Sequence, residues 1–241
     1  NSISNKTGAS YGMSADFDRD GDLDAILLQK TEGKITLLEN DGTGTFGTTD
    51  DFYTNAGSAP SFGIIGDFDE DGYPDLAIAM GGLGEVIIFK NNATNDIGFT
   101  EINDISGVSG VSKLDLGDVD SDGDIDVILI CENSQTQRDE IRWFKNIGPL
   151  WFDNQNSNLS FSPGSSISLD ILKINHPKSL SLGDIDQDGD LDLAVASSQD
   201  GNFSLLLNDG NGIFRSPTRL HKETNGEGHG VKLIDLNNDS K

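Results

Sequence analysis

Four nine-residue stretches of this chain set aspartates on alternate positions around one glycine, and the first reads Asp16-Phe17-Asp18-Arg19-Asp20-Gly21-Asp22-Leu23-Asp24. At positions 1, 3, 5, 7 and 9 the others supply Asp67, Asp69, Asp71, Tyr73 and Asp75; Asp118, Asp120, Asp122, Asp124 and Asp126; and Asp184, Asp186, Asp188, Asp190 and Asp192. Unit charges ~4 Å apart repel by about 4 kcal/mol at an effective dielectric of about 20, so one turn of backbone cannot gather such carboxylates without a cation. Side chains at positions 1, 3, 5 and 9, with a main-chain carbonyl from position 7, supply the oxygens that Ca²⁺ takes in flexible geometry. Mg²⁺ demands a stricter octahedron, and the loops hold no His or Cys for zinc. About four Ca²⁺ ions, one per motif, are the expected cofactor.

The motifs start 51, 51 and 66 residues apart, and 51 residues beyond the fourth a fifth begins at Asp235. It keeps Asp235 and Asp239 but has Asn237 at its third position and no ninth position before Lys241, so it is expected to hold metal weakly or not at all. An EF-hand is excluded because its twelfth position must be Glu, and here that position is Leu27, Ile78, Leu129 and Val195. Apolar runs of strand length follow each motif instead, such as Ala25-Ile26-Leu27-Leu28 and Val127-Ile128-Leu129-Ile130.

The register continues past these runs. A second apolar run ends at a recurring Asn (Asn40, Asn91, Asn146, Asn208), followed by turn residues and an aromatic at Phe46, Phe99, Phe152 or Phe214. The third unit carries insertions of 4 and 11 residues, which explain its longer period. Each unit therefore reads as a strand, an acidic loop, two more strands and a weaker fourth, and repeated four-stranded units of 40 to 50 residues point to an all-β propeller.

Stretches such as Ile64-Ile65-Gly66-Asp67-Phe68-Asp69-Glu70-Asp71-Gly72 and Leu205-Leu206-Leu207-Asn208-Asp209-Gly210-Asn211-Gly212-Ile213-Phe214 resemble the FG-GAP/VCBS repeats, the calcium-binding blades also found in integrin α-subunits. The resemblance implies that each loop joins the first and second strands of its blade, on the face opposite the one commonly used for ligands. It places approximate blades at 7–56, 57–107, 108–174 and 175–226, with a partial fifth at 227–241. Four complete blades and an opening strand are expected to be part of a larger, six- to eight-bladed propeller, with another chain or further blades meeting the C-terminal edge.

With 41 acidic and 16 basic residues the formal charge is −25, and four Ca²⁺ leave −17, which argues against nucleic acid and anionic membranes as partners, while no apolar run approaches the ~18 residues that membrane insertion would need. Loops of this kind suit an extracellular, secreted or cell-surface setting, where modules bind calcium at about 10⁻⁴ to 10⁻³ M. A start at Asn1 and an end inside a motif suggest a processed or truncated piece. Cys131 reads as a buried small hydrophobe, and His176, His221 and His229 read as loop residues without metal-ligand or catalytic spacing. The sequons at Asn5, Asn92, Asn158, Asn202 and Asn238 matter only if the source glycosylates.

Ligand contacts are expected on the connections 29–34, 80–85, 131–140 and 197–202, and 55–60, 104–110, 175–178 and 223–229. Two insertions stand out: the loop 131–140, and the segment 151–166 with Trp151, Phe152 and Phe161 as exposed aromatics on the metal-loop face. The leading expectation is a non-enzymatic adhesion, protein-interaction or surface-assembly scaffold with a protein or glycan ligand at the cell surface. The alternative is a lectin-like propeller or a catalytic or non-catalytic part of a polysaccharide-degrading enzyme.

Overall fold

β-branched residues in short runs, punctuated by Gly and Asx turns, leave this chain little choice but strands. The computed structural model describes residues 8–94, 97–133, 138–149, 159–164, 167, 174, 176–198, 202–215, 218–222 and 230–234, and these contain strands and turns but no helix. The first sheet comprises β1 (Ala9–Ala15), β2 (Asp24–Gln29), β3 (Lys34–Asn40) and β4 (Phe46–Thr54). The second comprises β5 (Pro60–Gly66), β6 (Asp75–Met80), β7 (Glu85–Asn91) and β8 (Phe99–Ser106). The third has β9 (Ser109–Gly117), β10 (Asp126–Asn133), β11 (Arg138–Pro149) and β12 (Leu159–Pro163), and the fourth β13 (Pro177–Gly183), β14 (Asp192–Ser197), β15 (Asn202–Leu206) and β16 (Thr218–Lys222). In every sheet neighbours in sequence are neighbours in space, the up-and-down order of a propeller blade.

The chain divides into two compact units, residues 1–111 with 149–159 and residues 112–148 with 160–241. In the first, Phe17, Ile26, Leu28, Ile35 and Leu37 of one sheet pack with Leu76, Ile78, Met80, Ile87 and Phe89 of the next. Phe52 meets Phe89 edge-on at 5.6 Å, and Phe17 meets Phe99 in the same way at 5.4 Å. In the second unit, Val119, Ile128, Ile130, Ile141 and Trp143 join Leu180, Leu193, Val195 and Leu206. Strands β6 and β14 are buried along their whole length, which is why they read as unbroken apolar runs without alternation.

The recurring Asn ties one sheet to its predecessor. Asn91 Nδ2 donates to the Phe17 carbonyl at 2.8 Å and Asn208 Nδ2 to the Val119 carbonyl at 2.7 Å, each also reaching a carbonyl of its own loop. Among the described residues, Asn40 Nδ2 donates to Leu23 O of its own loop at 3.2 Å. Residues 230–234 lie along β13: Leu233 N–H donates to Ser181 Oγ at 3.2 Å, just as Leu182 N–H donates to Asp115 Oδ2 at 2.8 Å one repeat earlier.

Several expectations about connections are corrected. The segment 131–140 is mostly ladder, since Cys131 pairs with Glu140, Glu132 with Asp139 and Asn133 with Arg138. The inserted residues thus lengthen a hairpin, and 134–137 lie outside the described residues. Likewise 104–110 shrinks to residues 107 and 108. Phe161 is a partly buried residue of β12 and not a loop aromatic, because the longer insertion displaced the fourth strand toward the C-terminus; Trp151 and Phe152 lie outside the described residues. His221 belongs to β16, and Leu207 falls just beyond β15.

Replacing a buried Asn that bridges two sheets strands a carbonyl on each, at about 1–3 kcal/mol per lost partner. Asn91→Ala and Asn208→Ala should each lower unfolding free energy by about 2–3 kcal/mol, against about 1 kcal/mol or less for Asn40→Ala. Chemical denaturation of the three variants measures the contrast; equal losses would remove the bridging role.

Candidate metal centres

The four acidic loops are the connections β1–β2, β5–β6, β9–β10 and β13–β14, and they share one backbone design. Position 4 is left-handed although none of its residues is Gly (Arg19 φ 64°, Glu70 58°, Ser121 58°, Gln187 66°). Position 6, with φ of 100°, 88°, 98° and 96°, is Gly each time, as that conformation requires. The position-6 N–H donates to Oδ2 of the position-1 aspartate in every loop, from Gly21 to Asp16 at 3.0 Å and from Gly72 to Asp67 at 2.8 Å, and equivalently at Gly123 and Gly189. The position-7 N–H donates to Oδ1 at position 5: Asp20, Asp71, Asp122 and Asp188. These bonds fold the carboxylates inward.

Position 9 does something the sequence did not suggest. Asp24, Asp75, Asp126 and Asp192 are buried, and each spends both oxygens on backbone amides. Asp75 Oδ2 accepts from Phe68 N–H at 2.9 Å and Oδ1 from Asn91 N–H at 2.7 Å; Asp24 serves Phe17 and Asn40, Asp126 Val119 and Asn146, Asp192 Ile185 and Asn208. One carboxylate thus fastens the start of the loop to the third strand of its sheet. Burial pushes the Asp75 carboxyl up to about 6 and that of Asp126 up to about 7, even though both amide bonds pull the other way. Burial also raises Asp18 and Asp186.

Carboxylate oxygens gather within 4.8 Å of one another in four groups: Asp16, Asp18 and Asp24; Asp67, Asp69 and Asp71; Asp118, Asp120 and Asp122; Asp184, Asp186 and Asp192. Within them Asp16 Oδ1, Asp69 Oδ1 and Asp120 Oδ1 are buried without a hydrogen-bond partner. Buried anionic oxygens lacking donors are costly, and a hard cation ligated by oxygen is what such a set fits. The position-7 side chains stand outside these groups. Asp22 and Asp190 lie against Gly42 and Gly210, where a Cβ would come within 2.4 and 2.7 Å of a carboxylate oxygen. In the second loop position 7 is Tyr73, under the Arg19 guanidinium at 5.3 Å, and the matching turn residue is Ala93. Asp235, Asn237 and Asp239 of the fifth motif lie outside the described residues.

Two lysines absent from the sequence-based site complete the second and third loops. Lys90 Nζ pairs with Asp69 and lies 3.2 Å from Asp71 Oδ2; Lys145 Nζ pairs with Asp120 and lies 2.7 Å from Asp122 Oδ2. Burial is the largest single influence on Asp122 and would raise it, but the bond and charge of Lys145, the Asp124 amide and a hydrogen bond with Asp120 together hold the carboxyl below its ordinary range. Away from the loops, Cys131 is buried with its thiol pushed up to about 11, which keeps it protonated and inert. His176 Nδ1 lies 3.2 Å from Asp139 Oδ2, His229 lies outside the described residues, and Asn202 is too buried to be a sugar acceptor.

In comparison with known proteins, the sequence matches the profile of the FG-GAP-like repeat over residues 16–78, 67–129 and 184–241. No curated protein sequence matches the chain significantly. Among solved structures it is similar to a protein from Lactobacillus plantarum (TM-score 0.59, 16% identity, 94% of this chain and 58% of that one). It is also similar to a proposed 6-phosphogluconolactonase from Bacteroides uniformis (TM-score 0.55, 15% identity, 85% of this chain and 52% of that one). The chain thus spans little more than half the length of either structure, and the likeness is one of fold.

Because position 9 is a backbone acceptor as well as a candidate ligand, Asp75→Ala should destabilise the protein even in chelator, by about 3–5 kcal/mol for two stranded buried amides. Asp71→Ala, at an exposed position, should cost about 1 kcal/mol or less under the same conditions. Urea titrations in EDTA measure both, and equal small losses would assign position 9 to metal alone.

Proposed function

We propose that this chain, which belongs to the FG-GAP-like repeat family, is an extracellular, non-enzymatic binding scaffold whose blades are stiffened by calcium. The observation that carries the calcium reading is the set of buried, donor-less oxygens on Asp16, Asp69 and Asp120 inside clustered carboxylates. Asp16, Asp18 and Asp24, and the gathered carboxylates of each other loop, would hold the ion, which would supply the positive charge that lets the loop close. A net charge of −25 favours a compartment rich in free calcium and disfavours polyanionic partners.

A site binding at ~10⁻⁴ M and exposed to ~10 mM calcium gains about 2.7 kcal/mol by linkage. Thermal unfolding in EGTA should therefore fall well below that in 10 mM CaCl₂, by roughly 2–4 °C per kcal/mol for a chain of this size. An unchanged midpoint would sink the calcium reading.

The same loops predict a pH dependence. Without metal, Asp75 and Asp126 have folded-state values of about 6 and 7, above an ordinary carboxylate, so the folded chain binds their protons more tightly than the unfolded chain does. Their contribution to metal-free stability is complete below about pH 4 and is lost as pH rises through about 6 and 7. A cation replaces those protons, so calcium binding near neutrality should release protons and weaken as pH falls from about 7.5 to 5.5. Calorimetric titration in buffers of different ionisation enthalpy reads the proton count directly.

A further inference from the structure

The four loops are not alike. In loops two and three the residue before the recurring Asn is a lysine, Lys90 or Lys145; in loops one and four the same place holds Glu39 or Leu207. The two ammonium groups each bridge the position-3 and position-5 carboxylates, Asp69 with Asp71 and Asp120 with Asp122. The position-3 partners are the sheltered ones, with side-chain exposures of 9% for Asp69 and 14% for Asp120.

Three further differences set loops two and three apart, the first from loops one and four and the other two from loop one. The gathered oxygens come from positions 1, 3 and 5 where the lysine is present, but from positions 1, 3 and 9 in loops one and four. The position-5 amide follows suit: Asp71 and Asp122 N–H donate to position 1 (Asp67 at 3.1 Å, Asp118 at 3.0 Å), whereas Asp20 N–H donates to position 3 (Asp18 at 3.1 Å). The donor-less oxygen moves with it, from Asp16 in loop one to Asp69 and Asp120 in loops two and three. A single side chain from the third strand thus accompanies a reorganised loop.

We infer that Lys90 and Lys145 are tethered cations that compete with calcium for the position-3 and position-5 carboxylates, making loops two and three weaker calcium sites than loops one and four. This rests on the calcium reading above. An ammonium has donors and no acceptor, so it cannot join the coordination shell and must leave the carboxylates before a divalent ion uses them. Even without calcium it neutralises part of its loop, so the two lysine-bearing blades are closed by the chain itself. Loops one and four have no such substitute among their described residues.

The test is a calcium titration of the whole chain by calorimetry, comparing the natural sequence with Lys90→Met, Lys145→Met and the double variant, which keep length and remove charge. The natural protein should show two classes of site, about two tight and about two at least tenfold weaker. Each single variant should move one site into the tight class, and the double variant should show one class of about four sites. Should a Met variant fail to fold by circular dichroism, Lys90→Gln and Lys145→Gln take its place. A natural protein with equivalent sites, or a double variant that keeps two classes, overturns the competition while leaving calcium binding intact. Absence of any calcium heat in both proteins overturns the calcium reading and the competition with it.

Discussion

Everything in this architecture depends on burying one carboxylate per blade. The ninth-position aspartate lies where an acidic loop, a second strand and a third strand converge, and accepts an amide from each side of that junction. A neutral side chain of the same size could not accept both with the strength of charge-assisted bonds. The cost is a desolvated negative charge, visible in the raised carboxyls of Asp75 and Asp126. The rest of the loop gathers more negative charge around it, which a lysine offsets in the second and third loops.

That arrangement explains why the gathering of the loop carboxylates was legible from sequence alone. Nine consecutive residues fix their own geometry through left-handed turns at positions 4 and 6 and short amide bonds, so spacing carries nearly the whole design. The strands were legible for the same local reason. The recurring Asn was visible as a period, but its role was not, because the carbonyl it meets belongs to the previous sheet. Lys90 and Lys145 escaped notice because they reach the loop from the third strand, where an isolated lysine looks like any solvent-facing residue.

The insertions were hardest to read. Glu132, Asn133, Arg138 and Asp139 have loop-like chemistry, yet they pair in register once the hairpin is long enough to hold them. Backbone pairing does not consult side-chain polarity where neither face is fully covered. In the longer insertion the recurring aromatic, Phe152, precedes β12 by several residues, so the period does not locate the fourth strand there. The small turn residues followed a rule of their own: glycine sits where a position-7 aspartate crowds the turn, and Ala93 sits where Tyr73 has swung toward Arg19.

The bond from each bridging Asn back to its predecessor's loop has a direction along the chain. Asn91 lies 74 residues after Phe17, and Asn208 lies 89 after Val119. On a ribosome adding about 5–20 residues per second, the earlier carbonyl waits on the order of ten seconds for its donor. During that interval the new sheet has an acidic loop in place but no clasp from its successor. For these two pairs of sheets the earlier sheet can be clasped only after the later one has been made.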